Sequence, residues 1–200
     1  ATQRLVKAID KQEPILVFGD YDVDGSTSVA MMFSFLKNYC ENLYYYIPDR
    51  YLEGYGISTK GIDYAHEKNC KLIIALDCGI KAMDQVSYAN SKAIDFIICD
   101  HHNPGEALPE AIAILDPKRQ DCKYPYKELS GCGVGFKLIQ AYCIQKGIPE
   151  HLAFELLDLV AISIAADIVE VTGENRILAY YGLEKINFNP RPGIKALLAA

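Results

Sequence analysis

Ile15-Leu16-Val17-Phe18-Gly19-Asp20-Tyr21-Asp22-Val23-Asp24-Gly25 decides the reading of this chain, because an apolar run ends there in three carboxylates within five positions. The run Ile15 to Phe18 reads as a strand buried on both faces. Ser26-Thr27-Ser28 then gives an N-cap signature, and Val29 to Leu36 carries enough apolar residues for a helix packed on a sheet. The acidic cluster is thereby placed on a strand-to-helix turn, at the carboxyl edge where open α/β sheets bind ligands.

Carboxylates this close repel one another and raise each other's pKa unless a cation absorbs the charge. Oxygen ligands suit magnesium or manganese, and alternate residues of an extended segment point to one side. On that reading Asp20, Asp22 and Asp24 converge. The same residues also read as a solvated acidic turn with an Asp capping the helix.

Working outward, the pattern repeats. Leu43-Tyr44-Tyr45-Tyr46-Ile47 is a second strand ending at Pro48, followed by the turn-rich loop Pro48 to Gly56 and a helix capped by Ser58 or Thr59. Lys71 to Leu76 is a third strand and ends in Asp77-Cys78-Gly79, with a helix from Met83 to about Asn90 behind it. Ile94 to Cys99 is a fourth and ends in Asp100-His101-His102. Three buried strands that each deliver Asp or His at the same end predict one chemical rim. Ala111 to Leu115 is expected to be a fifth strand, and Asp116 to Leu129 a polar surface loop.

Beyond it, Ser130-Gly131-Cys132-Gly133-Val134-Gly135 opens a helix to about Lys146. Such a start presents backbone N–H groups to a phosphate, although tight helix packing explains the glycines as well and the Gly-Lys-Ser/Thr ending of a P-loop is missing. A helix from Pro149 to Ala166, apolar nearly all round, precedes Asp167, and an Asp there needs a partner because burying an unpaired charge is costly. Glu174 to Asn187 gives a further helix, and a helical stub after Pro192 ends abruptly at Ala200, as a cut chain would.

The chain has 200 residues, half of them hydrophobic, enough for one sizeable core. No apolar run is long enough to span a bilayer. Seven cysteines, odd in number and with no C-x-x-C pair, read as buried thiols of a reducing cytoplasm and argue against structural zinc. The net charge of −6 argues against the chain gripping nucleic acid by itself, an objection that two divalent ions weaken without removing.

Asp24, Asp77 and Asp167 with His101 make an oxygen and nitrogen set suited to manganese, and Asp20 or Asp22 would hold a second ion. Two metals about 3.5–4 Å apart activate water against phosphorus, which predicts phosphoester hydrolysis. Of the two adjacent histidines, one ring ligates and its neighbour contacts the phosphate or moves a proton, whereas His66 and His151 are read as structural.

Gly19-Asp20-Tyr21-Asp22-Val23-Asp24-Gly25, Ala75-Leu76-Asp77-Cys78-Gly79, Asp100-His101-His102 and Ala166-Asp167-Ile168-Val169 together resemble the DHH phosphoesterase superfamily. The stretches Tyr46 to Arg50, Glu53 to Gly56 and Ser130 to Lys137 look like its branch of single-strand-specific 5′→3′ DNA exonucleases, which act in DNA repair and recombination. The resemblance implies a mostly parallel sheet of about five strands flanked by helices, with a helical C-terminal portion. It implies two Mn²⁺ or Mg²⁺ ions, Asp77 bridging them and Asp22, Asp24, His101 and Asp167 completing their coordination. Asp20, Asp100 and His102 then form the supporting or substrate-facing catalytic shell, and Arg50, Ser130 and Gly133 lie along the DNA.

Relatives that cleave pyrophosphate or small nucleotides carry His where Phe18 stands, as the exonuclease branch does not, so the first metal has fewer protein ligands. The resemblance further implies a second catalytic domain and a nucleic-acid-binding fold outside these residues. Residues 1–188 are then the metal domain and 189–200 the start of a linker helix. Single-stranded DNA is the implied substrate and a single-strand-binding protein a partner. The alternatives are a phosphodiesterase on short oligonucleotides or cyclic dinucleotides, and a scaffold that binds no metal.

Overall fold

The structure, a computed structural model, describes residues 1–199. Five strands, β1 (Ile15–Gly19), β2 (Leu43–Tyr46), β3 (Leu72–Leu76), β4 (Asp95–Cys99) and β5 (Ala113–Leu115), form one parallel sheet in the order β2-β1-β3-β4-β5. The central three are apolar on both sides because helices cover both faces. Ile15, Val17, Ile74, Leu76 and Cys99 face one core, and Leu16, Phe18, Ile73, Phe96 and Ile98 face the other.

On the first face lie α1 (Thr2–Asp10), α2 (Val23–Leu36), α5 (Gly131–Lys146), α7 (Leu157–Ala166) and α8 (Gly173–Phe188); α3 (Thr59–Glu67) and α4 (Met83–Ser91) cover the second. The strand order reverses between β1 and β3, and sheets of this order bind their ligands at that crevice. Register makes the rim: Gly19 pairs with Leu76 and Leu76 with Cys99, so the next residue on each strand, Asp20, Asp77 and Asp100, stands in one row. Cys99 also pairs with Leu115, which adds Asp116 to the row.

Two expectations are corrected. The helix after β1 begins at Val23, not after Ser26-Thr27-Ser28: Asp22, in extended conformation, accepts the Gly25 N–H at 2.8 Å and caps it. Asp24 is therefore helical, and the alternation that would have brought Asp20, Asp22 and Asp24 together does not exist. The single helix expected from Pro149 to Ala166 is two, α6 (His151–Phe154) and α7. Between them the N–H groups of Leu156 and Leu159 reach back only three residues, and the Glu155 carbonyl accepts from the Arg191 guanidinium at 3.2 Å. Arg191 also grips the buried Asp158, which ties α9 (Pro192–Leu198) to α7. The stub's end at Ala200 lies outside the described residues. No helix among the described residues is long and apolar enough to cross a membrane.

Candidate metal centre

Four of the expected ligands meet around one atom. The Nε2 of His101 lies 3.2 Å from Asp77 Oδ1, 3.5 Å from Asp167 Oδ2 and 3.8 Å from Asp24 Oδ2. The chain separations are long, and separate elements bring the groups together: the ends of β3 and β4, the first turn of α2 and the C-cap of α7. Asp77 takes the left-handed conformation, φ 59°, which Asp tolerates better than most residues, and so turns its carboxyl into the crevice.

Asp77 Oδ1 and both ring nitrogens of His101 are buried without a hydrogen bond, a costly state that a coordinated cation would relieve. Burial, reinforced by Asp24 and Asp22, pushes the Asp77 carboxyl up to about 10, and burial likewise raises Asp167, against His101. Three carboxylates and one imidazole are the donor set of a hard divalent ion, so the residues present fit manganese or magnesium. Two tight groups can be drawn, Asp24–His101–Asp167 and Asp77–His101–His102, each with ligand atoms within 4.8 Å of one another.

Asp22 stands outside both groups. Its Oδ1 is spent on the helix cap, while its charge still reaches Asp77 and Asp167.

The expected catalytic shell divides. Asp20 is fully buried; its Oδ1 accepts the Tyr21 N–H at 2.6 Å and its Oδ2 the Gly56 N–H at 2.7 Å, so it braces the 49–56 loop. Asp100 is also buried and accepts from the N–H groups of Ile80, His101 and His102. Burial pushes Asp100 up, but hydrogen bonds from the His102 ring and Ile80 outweigh it and hold the carboxyl below its ordinary value. Of the three only His102 is open to solvent, at 41% of its side chain. Its Nδ1 lies 2.7 Å from Asp100 Oδ1, which raises its pKa, and its Nε2 lies 3.3 Å from the Tyr55 hydroxyl. His102 borders a cleft of about 300 Å³ with Tyr55, Ile57, Gly79, Lys81 and Gln85.

Among the expected strand contacts, Arg50 is exposed, its guanidinium 5.2 Å from the centre of the Tyr21 ring. Ser130 and Gly133 lie at the start of α5, where Ser130 caps the helix by accepting the Gly133 N–H. Both are buried, and the glycine-rich start of α5 serves a carboxylate of the protein itself: Asp24 Oδ2 accepts from Gly131 N–H at 2.7 Å and Oδ1 from Cys132 N–H at 2.8 Å. The anion site expected for a phosphate is filled internally. His66 and His151 are exposed, on α3 and α6, away from the rim.

Sequence reasoning missed three residues. Ser163 donates to Asp24 Oδ1 at 2.7 Å; as a hydroxyl one helical turn before Asp167 in a nearly all-apolar helix, it carried a signal. Glu53 gathers Tyr46 hydroxyl, Ser58 hydroxyl and Asp49 N–H, and so folds the loop that holds Arg50. Asp116, read as loop, completes the row of aspartates at the strand ends.

A two-sided parallel sheet with aspartates and a histidine pair at its switch point is the class of protein to which the chain's motifs also point. Residues 14–164 match the profile of the DHH family, N-terminal domain, and the chain belongs to that family. It is similar to the single-stranded-DNA-specific exonuclease RecJ of Bacillus subtilis (strain 168), 42% identical over 198 residues, which are 99% of this chain and 24% of that protein. RecJ of Escherichia coli (strain K12) is 39% identical over 209 residues, covering 99% of this chain and 36% of the relative. A crystal structure of exonuclease RecJ bound to manganese superposes with a TM-score of 0.89 at 29% identity, covering 99% of this chain and 50% of the other. The chain thus spans between 24% and 36% of the length of these two curated relatives.

Proposed function

We propose that this chain is the metal-binding part of a RecJ-like exonuclease that hydrolyses single-stranded DNA from its 5′ end, in repair and recombination, with two Mn²⁺ or Mg²⁺ ions. The observation that carries the reading is the approach of Asp24, Asp77 and Asp167 to one nitrogen of His101. Asp24, Asp77, His101 and Asp167 would hold one ion, and Asp77 with Asp22 would face the other. Bound there, such ions neutralise phosphate charge and acidify the attacking water.

The chain's own groups do the rest. His102, steadied by Asp100 through Nδ1, presents Nε2 to a non-bridging phosphate oxygen or to a proton in transit. Arg50 and the exposed rings of Tyr51 and Tyr55 flank it, a cation and aromatic faces of the kind that track a single strand. Ser130 and Gly133 take no part in that contact.

In this reading residues 1–188 form the metal domain, and 189–200 lead toward a second catalytic domain and a nucleic-acid-binding fold. A single-strand-binding protein is the expected partner. A reducing cytoplasm suits the thiols, since all seven cysteines are free and six are buried. With a net charge of −6, the chain alone binds metal and digests single strands poorly.

Calorimetric titration with Mn²⁺ of the wild type and Asp77→Ala tests the reading: saturable binding lost in the variant supports it, and unchanged binding removes the two-metal site. Mononucleotide release from long single strands, compared with hydrolysis of dinucleotides, separates the exonuclease from a small-substrate phosphodiesterase.

A further inference from the structure

We propose that Ser163 is a positioning residue for the metal site, the last link of a polarised hydrogen-bond chain that aims Asp24 at the cation and fixes its spacing to Asp167. The proposal rests on the metal-site reading above.

The Asp24 carboxylate is shared between a closed side and an open one. Oδ1 takes two strong donors, the Ser163 hydroxyl at 2.7 Å and the Cys132 N–H at 2.8 Å. Oδ2 takes one, the Gly131 N–H, and is the oxygen that faces His101 Nε2. The open lone pair for a cation is therefore on Oδ2. Which oxygen faces the site depends on Oδ1 being held, because rotation about the last torsion of an Asp side chain is soft.

The direction of the chain follows from proton counting. A carboxylate only accepts, and Ser163 has one proton, so that proton goes to Asp24. The 2.6 Å contact between Ser163 and Ser130 is then a donation by the Ser130 hydroxyl, whose oxygen in turn accepts the Gly133 N–H at 3.1 Å. A relay runs from the N-terminus of α5 through Ser130 and Ser163 to Asp24, each donor strengthening the next. All of it is sealed: Ser130 and Ser163 are fully buried and Asp24 is 2% exposed, so water cannot replace a missing hydroxyl from the surface.

Ser163 stands four residues before Asp167, one turn along α7. Its bond to Asp24 therefore fastens the helix that carries one ligand to the side chain of another. Neither α2 nor α7 has another side-chain hydrogen bond to the other among the described residues. Groups that orient metal ligands in this way typically govern affinity by about 10–100-fold.

The test is Mn²⁺ affinity of the whole chain, read by electron paramagnetic resonance of free Mn²⁺. Ser163→Ala is expected to weaken binding about tenfold while circular dichroism stays that of the wild type. Ser163→Cys, which keeps the volume but exchanges the hydroxyl for a weak donor, is expected to lose affinity similarly and carries the test if the alanine variant does not fold. In an Asp24→Ala background, which removes the acceptor of the Ser163 hydroxyl, Ser163→Ala is expected to have no further effect on the remaining Mn²⁺ binding, which a general loosening of the fold would not produce. Affinity within twofold of wild type in a folded Ser163 variant overturns the proposal while leaving the metal site standing. A wild type that binds no Mn²⁺ overturns both.

Discussion

Gly131→Ala puts the architecture of the site under its sharpest strain. At the first position of α5 the residue is wedged against β3: a Cβ there would lie 2.5 Å from both Asp77 Cβ and Asp77 Oδ1 and 2.7 Å from Asp77 Cα. Ordinary contact begins at 3.4 Å, so the helix start or Asp77 must move by about 1 Å. Two of the three atoms belong to the rigid base of the side chain, so a rotamer change cannot relieve the clash. Without it, Ala would be favoured over Gly in a helix by about 1 kcal/mol. Overpacking of this kind costs about 1–3 kcal/mol, so the net effect on stability runs from near zero to about 2 kcal/mol of loss. That is up to roughly 8 °C in Tm for a chain of this size.

Metal affinity is the cleaner reading. The same shift displaces Asp77 and pulls the Gly131 N–H away from Asp24, and disturbing the groups that orient metal ligands costs about 10–100-fold in affinity. Isothermal calorimetry with Mn²⁺, beside thermal unfolding in chelator, measures both. A variant more stable by about 1 kcal/mol, with unchanged Mn²⁺ affinity, would refute the packing argument and with it the account of why glycine stands at 131.

Other outcomes follow from the same coordinates. Asp116, which burial pushes up from 3.8 to about 6, favours the folded state when protonated, so the wild type loses stability as pH rises from about 4 through 6. Asp116→Asn, which keeps the acceptor for the Lys118 N–H, is expected to be more stable than wild type at pH 8 by no more than about 3 kcal/mol and equal to it below pH 4, measured by denaturant titration. Arg191→Ala leaves the fully buried Asp158 without its guanidinium and should cost about 3–5 kcal/mol in the same assay. Ile168, a β-branched residue at φ 56° and 88% exposed beside Asp167, is held in the left-handed region; Ile168→Gly is expected to raise Tm by about 2–4 °C in chelator.

What the sequence made legible was whatever depends on short-range order. Continuous apolar runs locate the strands, and in a parallel sheet the residue after each run must lie at the same rim, which is why Asp77 and Asp100-His101-His102 were found without coordinates. The fourth member of the candidate site, Asp167, came from the cost of leaving a charge at the end of an apolar helix and from the family motif. Direction was not legible. Asp20 and Asp100 lie in the same row as Asp77, yet backbone N–H groups claim both oxygens of Asp20 and three of them turn Asp100 inward, a matter of how the 49–56 and 79–80 turns fold back. Nor could the glycine-rich start of α5 be assigned, since Gly131 and Gly135 look alike until one is seen against Asp77 and the other against Leu76 and Met31. Ser163 stands out in the sequence as a hydroxyl in an apolar helix, but its partner Asp24 is identified only when α7 is laid across α2.

The central claim is that buried carboxylates are assembled at a cost the cation repays, and Asp77→Asn measures it directly. Asp77 is 1% exposed and its carboxyl is pushed up to about 10 by burial and by Asp24 and Asp22, so neutralising it should raise the Tm of the metal-free chain while abolishing the further rise that Mn²⁺ gives the wild type. Thermal unfolding of both proteins, in chelator and in Mn²⁺, gives all four values in one experiment. A variant less stable in chelator, yet stabilised by Mn²⁺ as much as the wild type, would contradict the account.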